Sequence, residues 1–126
     1  MNKVAAILGV GPGLGAAVAR RFAREGFVVA LMARKEESVA GVREEIEDEG
    51  GTALPVTADA TDPASVEMAF GRVRGAFGDP EVFVYNAGAF QMGGVLEIPP
   101  DRFDECFRAN CAGAFSTPLA NISPLP

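Results

Sequence analysis

Four glycines, Gly9, Gly11, Gly13 and Gly15, fall within seven residues of this 126-residue chain. They separate the apolar run KVAAILGV (3–10) from an amphipathic segment that begins at Leu14. A glycine weakens a helix by about 0.5–1 kcal/mol per interior site, so a concentration of them signals a need for space. The chemistry that needs it is anion binding. A helix N-terminus presents unpaired N–H groups and the positive end of the helix dipole, and a Cβ at the turn would hold a phosphate away from both. Two registers fit the stretch. Gly11 to Ala16 reads G-x-G-x-x-G/A, and Gly9 to Gly15 reads G-x-x-x-G-x-G. The second starts directly after the last apolar residue of the run and is preferred.

Three more polar residues sit where apolar runs end. Arg34 follows FVVALMA, Asp59 follows ALPVTA, and Asn86 follows EVFVY. An arginine at the end of a second strand is suited to a bidentate, charge-assisted grip on a phosphate, with Lys35 adding to it. A plain solvated arginine is the alternative. Asp59 also reads as a turn or cap aspartate, Asn86 as a turn asparagine, and Asn110 as a polar helix residue.

The elements that must position these side chains alternate along the chain. Short apolar runs bounded by glycine predict strands buried on both faces. Leu14, Val18 and Phe22 predict the apolar stripe of a first helix. Val39, Val42 and Ile46 predict a second over 38–49, ended by Gly50-Gly51. Val66, Phe70, Val73 and Phe77 predict a third, and Phe103 and Phe107 a fourth after Pro99-Pro100. The β-α-β-α-β-α-β-α pattern predicts an α/β, Rossmann-like, doubly wound parallel sheet. Right-handed crossovers make the order 3-2-1-4 natural. Pro55 supports it, since a proline cannot donate to a ladder and belongs on an edge strand. Gly9, Arg34, Asp59 and Asn86 then share the carboxyl-end rim, where ligands bind in open α/β sheets.

The same residues resemble the N-terminal half of a short-chain dehydrogenase/reductase. The family's T-G-x-x-x-G-x-G appears as Leu8 to Gly15, with Leu8 in place of threonine. Its N-A-G after the fourth strand is Asn86-Ala87-Gly88, its acidic residue after the third strand is Asp59, and its helix asparagine is Asn110. The match spans about residues 3–115 and is most similar to a divergent branch. The resemblance implies a nicotinamide dinucleotide held by Gly9, Gly13, Leu14, Gly15, Arg34, Asp59, Asn86, Ala87 and Gly88. Asp59 would meet the adenine amino group, and Asn86 to Gly88 would line a ribose. Asn110 would support a proton-relay water, its part in catalysis being supporting only. Arg34, where NAD enzymes carry a carboxylate, implies NADP. The implied reaction is carbonyl/alcohol interconversion by hydride transfer, on a small-molecule substrate, in a chain able to form a homo-oligomer.

The family's later serine, and its tyrosine four residues before a lysine, are absent. Residues 1–115 therefore read as a cofactor-binding half-domain, incomplete at its C-terminal side and expected to be inactive alone. Residues 116–126 read as a tail whose Pro118, Pro124 and Pro126 oppose a helix. Tyr85, the one tyrosine, reads as structural. A non-catalytic nucleotide-binding fragment is the second reading. A third, an S-adenosylmethionine methyltransferase, fits G-x-G-x-G at Gly9 to Gly13 but lacks a carboxylate after the second strand.

Bulk properties narrow the field. A net charge of −6 disfavours nucleic acid and anionic membranes as partners. No apolar run approaches the ~20 residues of a membrane span. With no histidine, neither a histidine-bound zinc nor a Ser-His-Asp triad is available. Cys106 and Cys111 would point about 140° apart on a helix, which argues against a disulfide and for half-buried thiols in a reducing, cytoplasmic setting.

Overall fold

The computed structural model describes residues 3–121, with side chains through Thr117. Four parallel strands, β1 (Val4–Leu8), β2 (Val28–Ala33), β3 (Ala53–Thr57) and β4 (Val82–Tyr85), form one sheet in the order β3-β2-β1-β4. Helices α1 (Leu14–Arg24), α2 (Ala40–Asp48) and α3 (Pro63–Phe77) make the crossovers. After β4 come α4 (Pro100–Phe107), a five-residue π-helical segment (Arg108–Ala112) and α5 (Gly113–Asn121). Among the described residues no helix is long and apolar enough to cross a membrane.

β1 is buried along its whole length because it is central and covered on both faces. Val4, Ala6 and Leu8 join Met32, Phe70 and Val73 on the α3 face, while Ile7 joins Leu31, Ala19, Val42 and Ile46 on the α1–α2 face. This two-sided burial explains why the strands read as continuous apolar runs rather than alternating ones. Pro55 lies on the edge strand β3, in register with Leu31 of β2. At the opposite edge β4 is only half-buried.

Three sequence expectations are corrected here. Of the expected α1 stripe, Val18 and Phe22 are partly buried and pack against the core, but Leu14 is 68% exposed; the fully buried face is Gly15, Ala16 and Ala19, whose small size lets the helix lie close on the sheet. Phe22 also meets Phe27, edge to face with centroids 5.1 Å apart. The fourth helix forms where Phe103 and Phe107 predict it, with both phenylalanines exposed. Cys106 is half-buried as expected, but Cys111 is exposed; both are free thiols. Finally, α5 runs through Pro118 to Asn121. A proline removes one N–H from the ladder without forbidding helix on either side. In the turn before it Ser116 Oγ donates to Ala112 O (2.9 Å) and Thr117 Oγ1 to Gly113 O (2.7 Å), while α5 packs against α3. Pro124 and Pro126 lie outside the described residues.

Candidate dinucleotide site

The carboxyl ends of the four strands open into one cleft of about 920 Å³. Its floor is the β1–α1 turn, and the four glycines there divide into two kinds. Gly9 has φ +102°, and a Cβ on it would lie 2.5 Å from Asn86 C and 2.7 Å from Asn86 O. A Cβ on Gly15 would lie 2.9 Å from Val10 Cα and 3.1 Å from Asn86 Nδ2. Both positions are closed to larger residues by backbone. Gly11 and Gly13 have nothing within 4 Å of a Cβ, so their missing side chains leave open space on the cleft side. Gly9 and Gly15 serve packing, and Gly11 and Gly13 keep the cleft clear.

The N-terminus of α1 faces that space. Gly13 provides no side-chain cap and the first turn carries no acidic residue. The earliest back-bond is Ala16 N–H to Gly11 O (3.1 Å), so the N–H groups before it lack intrahelical partners. A phosphate matches this chemistry: donors, dipole and room coincide.

Asn86 fixes the floor to the wall. Its backbone N–H donates to Leu8 O (2.7 Å) and its Nδ2 to Gly9 O (3.0 Å), tying the ends of β4 and β1 together. Asp59 makes an Asx turn, accepting from Thr61 N–H (2.9 Å) and Thr61 Oγ1 (2.7 Å) through one carboxylate oxygen. Those two hydrogen bonds, and to a lesser degree the Arg34 charge, hold its carboxyl below the usual carboxylate range. The turn reading of Asp59 is thus realised, and the residue still lines the cleft.

Arg34 stands exposed at the end of β2. Arg20, Arg21, Arg24, Arg43 and Arg102 are each in an ion pair with a glutamate; among the described residues Arg34, Arg72, Arg74 and Arg108 are in none, and of these four only Arg34 lines the cleft. Lys35 and Ser38 line the cleft beside it.

All nine residues expected to touch a dinucleotide line this cleft. Asn110 stands behind it. Its Oδ1 accepts from Ala89 N–H (2.9 Å) and its Nδ2 donates to Ala89 O (2.8 Å), so the side chain clasps the backbone of the loop after β4. Sequence reasoning missed Ser38, Arg102 and Glu105, which also line the cleft. A hydroxyl one turn after Arg34 was a usable signal for Ser38. Nothing local marks the Arg102–Glu105 pair, because only the path of the 89–99 loop turns α4 towards the cleft. Tyr85 is structural, as read: its hydroxyl donates to Ala109 O, and its ring stacks on Phe83. Desolvation, with the Asp59 charge adding to it, raises its hydroxyl above the usual phenol value.

The comparisons agree with this geometry. The family model described as short chain dehydrogenase matches residues 3–124. Versicolorin reductase stcU of Emericella nidulans is 36% identical over 115 residues, covering 90% of this chain and 44% of the relative. A short-chain type dehydrogenase/reductase from Mycobacterium marinum superposes with TM-score 0.90 at 34% identity, covering 94% of this chain and 48% of that one. A metagenomic short-chain oxidoreductase solved in complex with NADP gives TM-score 0.89 at 30% identity, covering 94% and 54%. The fold is that of a Rossmann-like α/β domain, and the chain belongs to the short-chain dehydrogenase family. It spans about half the length of such relatives.

Proposed function

We propose that this chain is the cofactor-binding half of an NADP-dependent short-chain oxidoreductase that interconverts a carbonyl and an alcohol. The observation that carries the choice of cofactor is the unpaired Arg34 at the end of β2, with Lys35 and Ser38 beside it and no carboxylate there to receive a ribose diol. The open space at Gly11 and Gly13 over an uncapped helix supports a pyrophosphate on α1. When bound, the nicotinamide cofactor supplies or accepts the hydride. This chain's residues then bind and orient it. The α1 N-terminus takes the pyrophosphate, Arg34 a 2′-phosphate and Asp59 the adenine, while Asn86 to Gly88 face a ribose. Asn110 holds the loop at Ala89 through its side-chain amide. The chain has no tyrosine four residues before a lysine, so proton exchange with substrate is assigned to residues beyond it.

Calorimetric titration of NADPH and NADH tests the reading. Two charge-assisted hydrogen bonds from Arg34, partly offset by desolvation and exposure, should favour NADPH by about 1.5–3 kcal/mol, roughly tenfold to a hundredfold. Arg34→Asp should invert the preference. Equal affinities, or a preference that survives the substitution, would reduce Arg34 to a solvated loop residue.

A further inference from the structure

Tyr85 has no part in the cofactor contacts above, yet the structure connects it to them through the π-helical segment. In a regular helix the Gly113 N–H would bond Ala109 O, four residues back. Here it donates to Arg108 O, five back. The Ala109 carbonyl thereby loses that donor, and the Tyr85 hydroxyl donates to it from the sheet. Gly113 permits the approach: a Cβ on it would clash with the Tyr85 hydroxyl and lie 2.6 Å from Ala60 O. The widened turn carries Asn110 at its centre, and there its amide makes both bonds to Ala89. Close fit continues to the cleft wall, where a Cβ on Gly88 would lie 3.0 Å from Asn110 Oδ1. Gly88, Ala89 and Ala109 all line the cleft.

We infer that Tyr85 is a positioning residue for dinucleotide binding: its hydroxyl holds the π turn open at Ala109, which sets the Asn110 amide on Ala89 and so fixes the cleft wall at Gly88 and Ala89. Its importance for the reaction rests on the cofactor reading above; its control of Asn110 does not. A π-helical turn at a functional site is a recurrent device. The phenol ring alone would fill the core equally well as phenylalanine, so the hydroxyl is the part under test.

Tyr85→Phe removes that hydroxyl and keeps the ring. In the 126-residue chain it should shift the Asn110 side-chain NH2 and Ala89 amide resonances in nitrogen-15 spectra. It should also weaken NADPH binding roughly three- to tenfold, the scale of one net hydrogen bond. In an Asn110→Ala background the same substitution should cause no further loss, because the two act through one contact. Phe83→Leu, which trims the ring stacked on Tyr85 but spares the hydroxyl, should lower the unfolding temperature and leave the Asn110 resonances in place. The inference is overturned if Tyr85→Phe leaves those resonances unmoved, or if its effect on affinity is undiminished when Asn110 is alanine. Should the unsubstituted chain bind no NADPH, the cofactor reading fails, while the resonances still decide whether Tyr85 controls Asn110.

Discussion

At the scale of single residues, the glycines show what spacing alone can and cannot say. The motif was legible as a need for space, and its position between strand and helix pointed to the α1 N-terminus. The division of labour was not legible, because it depends on Asn86, more than seventy positions away in sequence, lying against Gly9 and Gly15. That division makes a sharp prediction. Gly9→Ala forces a Cβ into the Asn86–Ala87 backbone at φ +102° and should destabilise the fold by about 2–4 kcal/mol. Gly13→Ala meets nothing within 4 Å and should lower stability by less than Gly9→Ala does. Its Cβ stands where a pyrophosphate approaches, so NADPH affinity should fall by at least roughly tenfold. Urea unfolding and NADPH titration of the two variants separate the effects. Equal stability losses would contradict the division. Arg34 was legible for a different reason: its charge and its place after β2 are local facts, and the structure adds only that no glutamate claims it.

At the scale of elements, strand positions were legible because the central strands β1 and β2 are buried on both faces and the edge strands are apolar enough to read the same way. Helix faces were less so. On α1 the pattern finds Val18 and Phe22 but misplaces Leu14 and passes over Gly15, Ala16 and Ala19, the small residues that close packing selects. The helix through Pro118 is hidden because local propensity does not register the packing of α5 against α3. The β3–α3 junction gives a prediction of its own. Asp59 closes an Asx turn on Thr61, the Asp59 N–H donates to Ser65 Oγ (2.9 Å), and Asp62 caps α3 by accepting from Ala64 N–H (3.1 Å). The Asp59 carboxyl is held down in the folded state by its bonds to Thr61, so the unfolded chain takes up a proton first as pH falls. Its contribution is complete above the ordinary carboxylate value near ~3.9 and is lost as pH drops through the lower folded value. Unfolding measured from pH 6 down to pH 2 should show a shallower acid loss in Asp59→Asn than in the unsubstituted chain. Parallel curves would mean the turn does not depend on the charge.

At the scale of the whole molecule, both faces of the sheet carry a core and its two edges differ. The β3 edge carries Pro55, which blunts pairing with other chains. The β4 edge has no such protection, and the segments that follow it expose Phe90, Met92, Val95, Leu96, Phe103, Phe107 and Phe115, each more than half accessible. Total accessible surface is 7812 Å², whereas a folded monomer of 13.1 kDa averages about 6,400 Å². Scattered apolar residues need no explanation, but this many beside one open edge are a liability to association. The net charge of −6 opposes association by mutual repulsion, and salt screens that repulsion over about 10 Å at 0.1 M. The isolated 126-residue chain should therefore bind an apolar fluorescent dye in its folded state. It should also sediment as larger species as protein and salt concentrations rise together. Substituting Phe103, Phe107 and Phe115 with serine should reduce both signals while leaving Phe70 and Val73, the buried side of the sheet, undisturbed. A chain that sediments as a monomer at high salt and binds no dye would show that the exposed face is closed in solution by a rearrangement of α4 and α5.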